Sequence, residues 1–245
     1  MPSVLICILV GFVAQLIDGA LGMAYGVSCT TFLINFGFAP ATAVAAVKTS
    51  EVFTTAVSGL SHLRIGNVDR QLFARLCVPG VAGGILGAYV LTHIPAERVK
   101  PIVAAYLFMM GLIILCKGWK SPLFAEAPRD KPVALAFFGG FLDATGGGGW
   151  GPIVTTTLIA RGREPRMAIG SVNLAEFFVT SAQMVTFVAF LGLQNLEVVL
   201  GLVLGGIIAA PLAAHVCRRM PPVMLLKLVG TLIIALSLRI LVFMR

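Results

Sequence analysis

The sequence predicts an all-α polytopic membrane protein that consists of two inverted repeats, each a broken or re-entrant helical hairpin followed by three transmembrane helices. The prediction depends on three observations: the composition, an internal repeat and the distribution of basic residues. Of the 245 residues, 58% are hydrophobic and 11% are charged, with a mean hydropathy of +1.00. A soluble domain carries about 25% charged residues. The composition therefore indicates a chain that lies almost wholly in a lipid bilayer.

Charge and residue usage argue against several other classes of protein. The net charge of +8 comes from Lys and Arg in short loops, which favours a role in membrane topology over binding of nucleic acid. The start of the chain has neither a positive n-region nor a cleavage site, so it is interpreted as mature protein rather than as a signal peptide. The five cysteines form no C-x-x-C pair, and the three histidines lack metal-ligand spacing. We therefore expect no metal, no cofactor and no enzymatic activity.

An internal repeat is the second observation. A shift of 125 positions aligns polar and conformationally special residues without a gap. Chance similarity between apolar helices would match Leu, Val and Ala, whereas a duplication keeps Asp, Gly, Pro and Glu in register. The aligned pairs include Asp18 with Asp143, Gly26 with Gly151, Pro40 with Pro165 and Glu51 with Glu176.

Each half contains five apolar segments in the same order. The first two segments of each half are too short to cross a bilayer, and the other three are long enough, because about 20 helical residues are needed. We expect a first repeat at 1–118, a cytoplasmic linker at 119–131 and a second repeat at 132–245. The segments are 4–17, 21–36, 41–63, 71–92 and 99–116, then 132–142, 148–160, 167–191, 196–216 and 223–243.

The basic residues predict that the two halves are inverted. The loop 35–40 has no charge, whereas its equivalent holds Arg161, Arg163 and Arg166. The loop after the third segment holds Arg64 and Arg70, and its equivalent, 192–195, holds neither Lys nor Arg. Equivalent loops therefore lie on opposite sides of the membrane under the positive-inside rule, with both termini outside. Two re-entrant segments per half or five full crossings per half both satisfy this pattern.

A glycine-rich break separates the two short segments of each half, at 18–26 and at 143–151. The helices that restart there offer free N–H groups and a partial positive charge to an anion. Close packing of helices is the alternative role for the glycines. Packing is also the alternative for the two aromatic residues beside the breaks. The candidate substrate-binding residues at the breaks and just after them are Gly22, Tyr25, Thr30, Thr31, Gly147, Gly148, Trp150 and Thr155.

Ionisable residues near the predicted midplane form the second part of the candidate site. Glu51 and Glu176 lie about ten residues into their helices, where charged groups are costly and usually functional. Lys48 is on the same helix face as Glu51, and Asn173 takes its place in the second half. In the functional hypothesis, Lys48 and Asn173 bind the substrate anion, and the two glutamates carry a coupling proton. The alternative is a neutralised Lys48–Glu51 pair and a protonated Glu176 that only holds helices together.

Asp18 and Asp143 begin the two breaks, where aspartate suits the start of a helix. We interpret both as caps of the restarted helices.

At these residues the chain resembles the sulfite exporter TauE/SafE family, also called the TSUP family. The family has two similar halves, each with a glycine-rich motif, and residues 140–152 and 168–178 match its pattern well. The first half departs from the pattern because 22–26 lacks the triple glycine. The resemblance implies export or uptake of sulfur-containing anions such as sulfite, sulfoacetate and related organosulfonates.

The combined prediction is a secondary transporter of small anions in the cytoplasmic (inner) membrane, with alternating access and protons as the coupling ion. Its partners are the anionic substrate and the lipid bilayer, not nucleic acid, and homo-oligomerisation is left open. A channel for anions or small solutes with the same inverted-repeat architecture is the alternative.

Overall fold

The computed structural model describes residues 2–21, 23–117, 132–161, 163–219 and 222–242, so the expected linker lies outside the described residues. These residues form α-helices, one π-helical segment and short connections, without a strand. The first half contains α1 Val4–Leu21, α2 Tyr25–Asn35, α3 Pro40–Arg64, α4 Arg70–His93 and α5 Ala96–Lys117. The second half contains α6 Pro132–Gly146, the π-helical segment Trp150–Thr155 that continues as α7 Thr156–Ala160, α8 Pro165–Leu191, α9 Leu196–Arg219 and α10 Pro222–Val242.

Local sequence explains where the long helices begin. Pro40 and Pro165 occupy the first turn of α3 and α8, where the missing N–H costs nothing. The carboxylate of Asp69 accepts hydrogen bonds from the N–H groups of Gln71 and Leu72 and so caps α4. Gly192, with φ 72°, ends α8.

The two helix breaks are shorter than the sequence indicated. α1 continues through Asp18, and α6 continues through Asp143. Among the described residues of the two breaks, positive φ angles occur after these aspartates, at Ala24 (φ 100°), Gly147 (φ 77°) and Gly148 (φ 153°). The two aspartates therefore lie in the last turns of the first helices and not at the first positions of the restarted ones.

Large apolar side chains cover the outer surface of the helical bundle. Leu5, Val78, Ile102, Phe138 and Val185 are all more than half exposed, as expected for contact with lipid. Within the described residues, α4, α5 and α8 are long and apolar enough to cross a membrane. α3 has 25 residues, but it carries a run of buried polar side chains on its inward face, which lowers its hydropathy.

The first helix of each half packs most extensively on the fourth helix of the other half. α1 lies along α9 in the same direction, with Val4 beside Gly201 and Phe12 beside Gly205. α6 lies along α4 in the same direction, and a Cβ on Gly83 would collide with the carbonyl oxygen of Phe137. Glycine thus permits backbone-to-backbone contact in both pairs.

The third helices of the two halves, α3 and α8, cross at the centre of the bundle in opposite directions. Gly59, late in α3, contacts Leu174, early in α8, and the Thr55 and Thr180 hydroxyls lie 3.5 Å apart midway. Thr42, early in α3, lines one small pocket with Val188 late in α8.

Each hairpin returns to the side from which it begins. α1 begins beside the first turns of α9. α2 ends just before α3, and the first turn of α3 lies beside residues 192–194, which connect α8 to α9. The start of α1 and the end of α2 are therefore both close to the α8–α9 connection. In the second half, α6 runs parallel to α4, and the connection after α7 holds Arg163 at 3.6 Å from Asp69 at the start of α4. Both helix breaks therefore lie in the interior of the bundle.

Candidate functional site

The two helix breaks touch each other in the interior of the bundle. Gly148 lies against Gly26 and Val27 so closely that a Cβ on Gly148 would collide with the Val27 nitrogen. The hydroxyl of Thr30 donates to the carbonyl oxygen of Gly147 at 2.6 Å. The contact has no space for side chains, which explains the need for glycine at these positions.

A small cavity lies where the breaks meet. Its wall combines backbone of both breaks with four carboxyl groups, and its volume of about 10 Å³ is close to the least that holds one water molecule. Sulfite has four heavy atoms where water has one, so the cavity is too small for it in this conformation. The four carboxyl groups belong to Asp18, Glu51, Asp143 and Glu176.

Lys48 brings a positive charge to this centre. Its ammonium group is fully buried and lies 2.5 Å from a carboxylate oxygen of Glu51 and 2.7 Å from one of Asp143. A buried ammonium group is tolerated only when it is paired and hydrogen-bonded. The pair with Glu51 lies within α3, whereas the pair with Asp143 connects the two halves.

Four donors surround the carboxylate of Asp143. One oxygen accepts from the N–H groups of Gly149 at 2.9 Å and Trp150 at 3.2 Å, at the start of the restarted helix. The other oxygen accepts from the amide of Gln183 at 3.1 Å and from the ammonium group of Lys48. This environment combines a helix start and a cation, the two features that stabilise an anion.

The equivalent carboxylate, Asp18, has far fewer partners. It accepts a hydrogen bond from the N–H of Tyr25 at 3.3 Å, which matches the bond from Trp150 in the second half. Among the described residues it forms no ion pair. Asn173, which replaces lysine in the second half, is 4% exposed, and its side chain forms no hydrogen bond within the described ranges. The two halves therefore share an architecture but not an electrostatic environment.

Glu176 lines the cavity on the α8 side and is 6% exposed. Its carboxyl group has no hydrogen bond or ion pair with another described residue. A buried carboxylate without a partner is costly, so Glu176 is the acid at this centre with the least compensation for a negative charge.

The remaining candidate residues lie partly on the wall of the cavity and partly around it. Tyr25 lines the cavity, and its hydroxyl bonds to Ser50 and to the carbonyl oxygen of Leu202. Trp150 packs against Gly80, and its indole N–H donates to the carbonyl oxygen of Val172, so its ring lies away from the cavity.

None of the three candidate threonines lines the cavity. Thr30 bonds to Gly147 at the junction of the two breaks. Thr31 bonds to the carbonyl oxygen of Val27 in its own helix. The buried hydroxyl of Thr155 has no hydrogen-bond partner in the part of the chain that the structure describes. Gly22, also a candidate, lies outside the described residues.

The sequence did not identify two residues that hold this centre together. Gln183, on α8, donates to Asp143 and lies against Gly84 of the first half. The hydroxyl of Tyr106, on α5, donates to the carbonyl oxygen of Gly148 at 2.8 Å. A glutamine in the middle of an apolar helix is a signal that could have found Gln183, whereas a tyrosine in a membrane helix is too common to be informative.

A second cavity, of about 160 Å³, lies at the far end of α2. Lys100, Arg239 and Asn35 line it, and both cations are without an ion pair among the described residues. α2 has 11 residues, so this cavity is about 15 Å from the helix break along the helix axis.

The chain is similar to a family model and to a known protein over nearly its whole length. The family model described as "Sulfite exporter TauE/SafE" matches residues 7–240. The "Probable membrane transporter protein YtnM" of Bacillus subtilis (strain 168) is 39% identical over 255 aligned positions, which cover 99% of this chain and 84% of that protein. No solved structure matches the chain significantly.

Proposed function

We propose that this chain, which belongs to the sulfite exporter TauE/SafE family, is a secondary transporter that moves small sulfur-containing anions across the cytoplasmic membrane. Sulfite, sulfoacetate and related organosulfonates are the proposed substrates, and protons are the proposed coupling ion. The description of the family and the name of the relative both favour transport over catalysis.

The observation that carries the proposal is the meeting of the two helix breaks around Lys48. Broken helices whose restarted ends point at a common centre are typical of substrate sites in secondary transporters. Here the restarted helices begin at Tyr25 and Trp150, and the buried ammonium group lies between the halves. The acids beside it, Glu51 and Glu176, are the proposed carriers of the coupling proton.

Two observations support alternating access: the cavity is too small for the substrate, and the first helix of each half packs on the fourth helix of the other half. We interpret α3 and α8 as equivalent helices of an inverted repeat, related by a two-fold axis that passes between Thr55 and Thr180. Under this symmetry, the α1–α9 and α4–α6 contacts are equivalent to each other. Movement of these paired helices would open the cavity to one side or to the other.

The proposed orientation places both termini outside the cytoplasm. The loops with most basic residues, around Arg64, Arg70, Arg161 and Arg163, gather on one side, where Arg163 pairs with Asp69. The loop 35–40 lies at the opposite side beside Lys100 and Arg239. The positive-inside rule assigns the first side to the cytoplasm.

A flux assay in proteoliposomes tests the proposal. We expect saturable sulfite uptake that increases with an imposed proton gradient. Lys48→Ala should lower the uptake rate by about tenfold or more, because a hydrogen bond to a charged group contributes about 1.5–3 kcal/mol. Glu176→Gln should retain downhill flux but lose accumulation driven by the proton gradient.

Lys48→Arg serves as the control for the loss of charge, and gel filtration checks that each variant is folded. Removal of the lysine leaves two buried carboxylates unpaired, which can destabilise the protein. The proposed function is wrong if neither sulfite nor organosulfonates move, and its mechanism is wrong if both variants transport like the parent protein. Unitary currents in place of slow saturable flux would favour the channel.

A further inference from the structure

We propose that the carboxylate of Asp143 is an internal anion that occupies the binding groups of the substrate in the empty transporter, and that an incoming sulfur oxyanion displaces it from Lys48. This inference rests on the proposed function and adds a residue that determines affinity. It gives Asp143 a role beyond that of a cap for the restarted helix.

The hydrogen bonds of Asp143 carry the inference. An anionic substrate at the glycine break of the second half would need the free N–H groups of the helix start and the ammonium group of Lys48. In this conformation the N–H groups of Gly149 and Trp150 and the ammonium group all bind Asp143. The groups expected to hold the substrate are therefore already bound to a carboxylate of the protein.

The first half provides a comparison within the same molecule. Asp18 is the equivalent of Asp143 and also accepts a bond from the N–H of its restarted helix. It forms no ion pair with a described cation. Neutralising Asp18 thus removes a carboxylate charge from the same cavity without releasing Lys48. Asp18→Asn therefore measures the effect of reduced negative charge alone, without any change in competition for the lysine.

The size of the cavity gives displacement a further consequence. With room for about one water molecule, the centre cannot hold a free carboxylate and a substrate anion together without compensation. We infer that the displaced carboxylate takes up one proton from water and becomes a neutral carboxylic acid. When the substrate is a monoanion, one anion and one proton then enter together, and the charge of the centre does not change.

Other ionisable groups face Asp143 from several neighbouring helices. Asp18 and Glu176 share its cavity from α1 and α8, and α3 contributes Lys48 and Glu51. The hydroxyl of Tyr106, from α5, lies at the adjacent break residue Gly148. These groups are present in wild type and in Asp143→Asn alike, so the difference between the two proteins isolates the contribution of Asp143.

Calorimetric titration of the full chain in lipid nanodiscs tests the inference. The probes are sulfite and methanesulfonate, the second because it is a monoanion across the whole working pH range. Asp143→Asn should bind both about tenfold or more tightly than wild type, because the competing anion is lost while an oxygen acceptor for Gly149 is kept. Asp18→Asn should show no such gain.

Proton uptake is the second measurement. Titrations in buffers with different heats of protonation should show about one more proton taken up per methanesulfonate bound by wild type than by Asp143→Asn, because both glutamates are present in the two proteins. If Asp143→Asn does not fold, Gln183→Met removes one donor to Asp143 and leaves Lys48 intact, and it should tighten binding in the same direction by a smaller factor.

The outcomes separate this inference from the function on which it rests. If wild type binds and transports sulfite but a folded Asp143→Asn binds no more tightly, the internal-anion role is wrong and the proposed function stands. A gain of equal size in Asp18→Asn also overturns the role, because competition for Lys48 would then not be its cause. If wild type neither binds nor moves either probe, both are wrong.

Discussion

Two neighbouring threonines show how the role of a side chain depends on its partner. Thr30 and Thr31 follow each other in α2, and both are buried. Thr30 donates to the carbonyl oxygen of Gly147 in the other half, at a residue with positive φ. Thr31 donates to Val27 in its own helix. Only the first hydroxyl connects the two helix breaks.

We expect Thr30→Val to destabilise the protein more than Thr31→Val does. Loss of the Thr30 hydroxyl leaves a buried carbonyl oxygen without this partner, at a cost of about 1–3 kcal/mol. The carbonyl oxygen of Val27 lies within a regular helix, so the second substitution should cost less than about 1 kcal/mol. Thermal unfolding in detergent measures the difference. Equal melting temperatures would show that the bond to Gly147 does not stabilise the junction.

The sequence predicts part of this centre at the residue scale. The spacing of Lys48 and Glu51 predicts their ion pair, which the structure contains. The pair between Lys48 and Asp143 requires two distant segments to meet, and no local spacing encodes that contact. The hydrogen bonds of Gln183 and Tyr106 also depend on contacts between segments that are distant in the sequence.

At the scale of elements, glycine determines how closely the helices approach. Lipid chains are as apolar as leucine, so helices in a bilayer associate through close packing rather than through the hydrophobic effect. On α4, the face with Gly80, Gly83 and Gly87 lies against α6 and its neighbours, whereas Val78 faces outward. The glycine face of α4 is thus its contact with the other half.

Gly83→Ala should therefore destabilise the α4–α6 pair. A Cβ at this position collides with the backbone of Phe137, and overpacking typically costs about 1–3 kcal/mol. Val78→Ala on the same helix changes a side chain that is 74% exposed and serves as the control. Thermal unfolding of both variants checks the prediction, and an unchanged melting temperature for Gly83→Ala would mean that the helices are not in backbone contact.

The segments and their order follow well from hydropathy, whereas the partners of the helices do not. All ten predicted segments contain a helix, and most boundaries lie within a few residues of the structure. The glycine pattern marks a packing face on α4, but it does not tell which helix covers that face. The break predicted from the sequence is also longer than the break in the structure. Asp18 and Asp143 belong to the preceding helices, and their side chains reach across the break to the restarted helices.

At the scale of the whole molecule, the orientation of the two halves is the central question. Phe36 and Arg161 are equivalent under the shift of 125 positions, and both are exposed at the ends of their hairpins. The proposed inverted repeat puts Phe36 outside and Arg161 in the cytoplasm. A parallel repeat would put both on one side.

Single cysteines at these two positions, in a chain without its native cysteines, should react from opposite sides of the membrane. We expect a membrane-impermeant maleimide to label Phe36→Cys in right-side-out vesicles and Arg161→Cys only in inverted vesicles. Permeabilised vesicles, in which both should react, provide the control for reactivity. Labelling of both cysteines from one side in intact vesicles would exclude the inverted arrangement.

The first helix of each half packs on the fourth helix of the other half, α1 on α9 and α6 on α4. This arrangement also has a consequence for biogenesis. When the first half leaves the ribosome, α1 lacks its main packing partner until α9 has been synthesised. Its glycine-bearing face must stay in lipid during that interval, where it is open to quality-control proteases. If the halves descend from one ancestral gene, that shorter protein would have needed a second copy of itself, inserted in the opposite direction, to complete each helix pair.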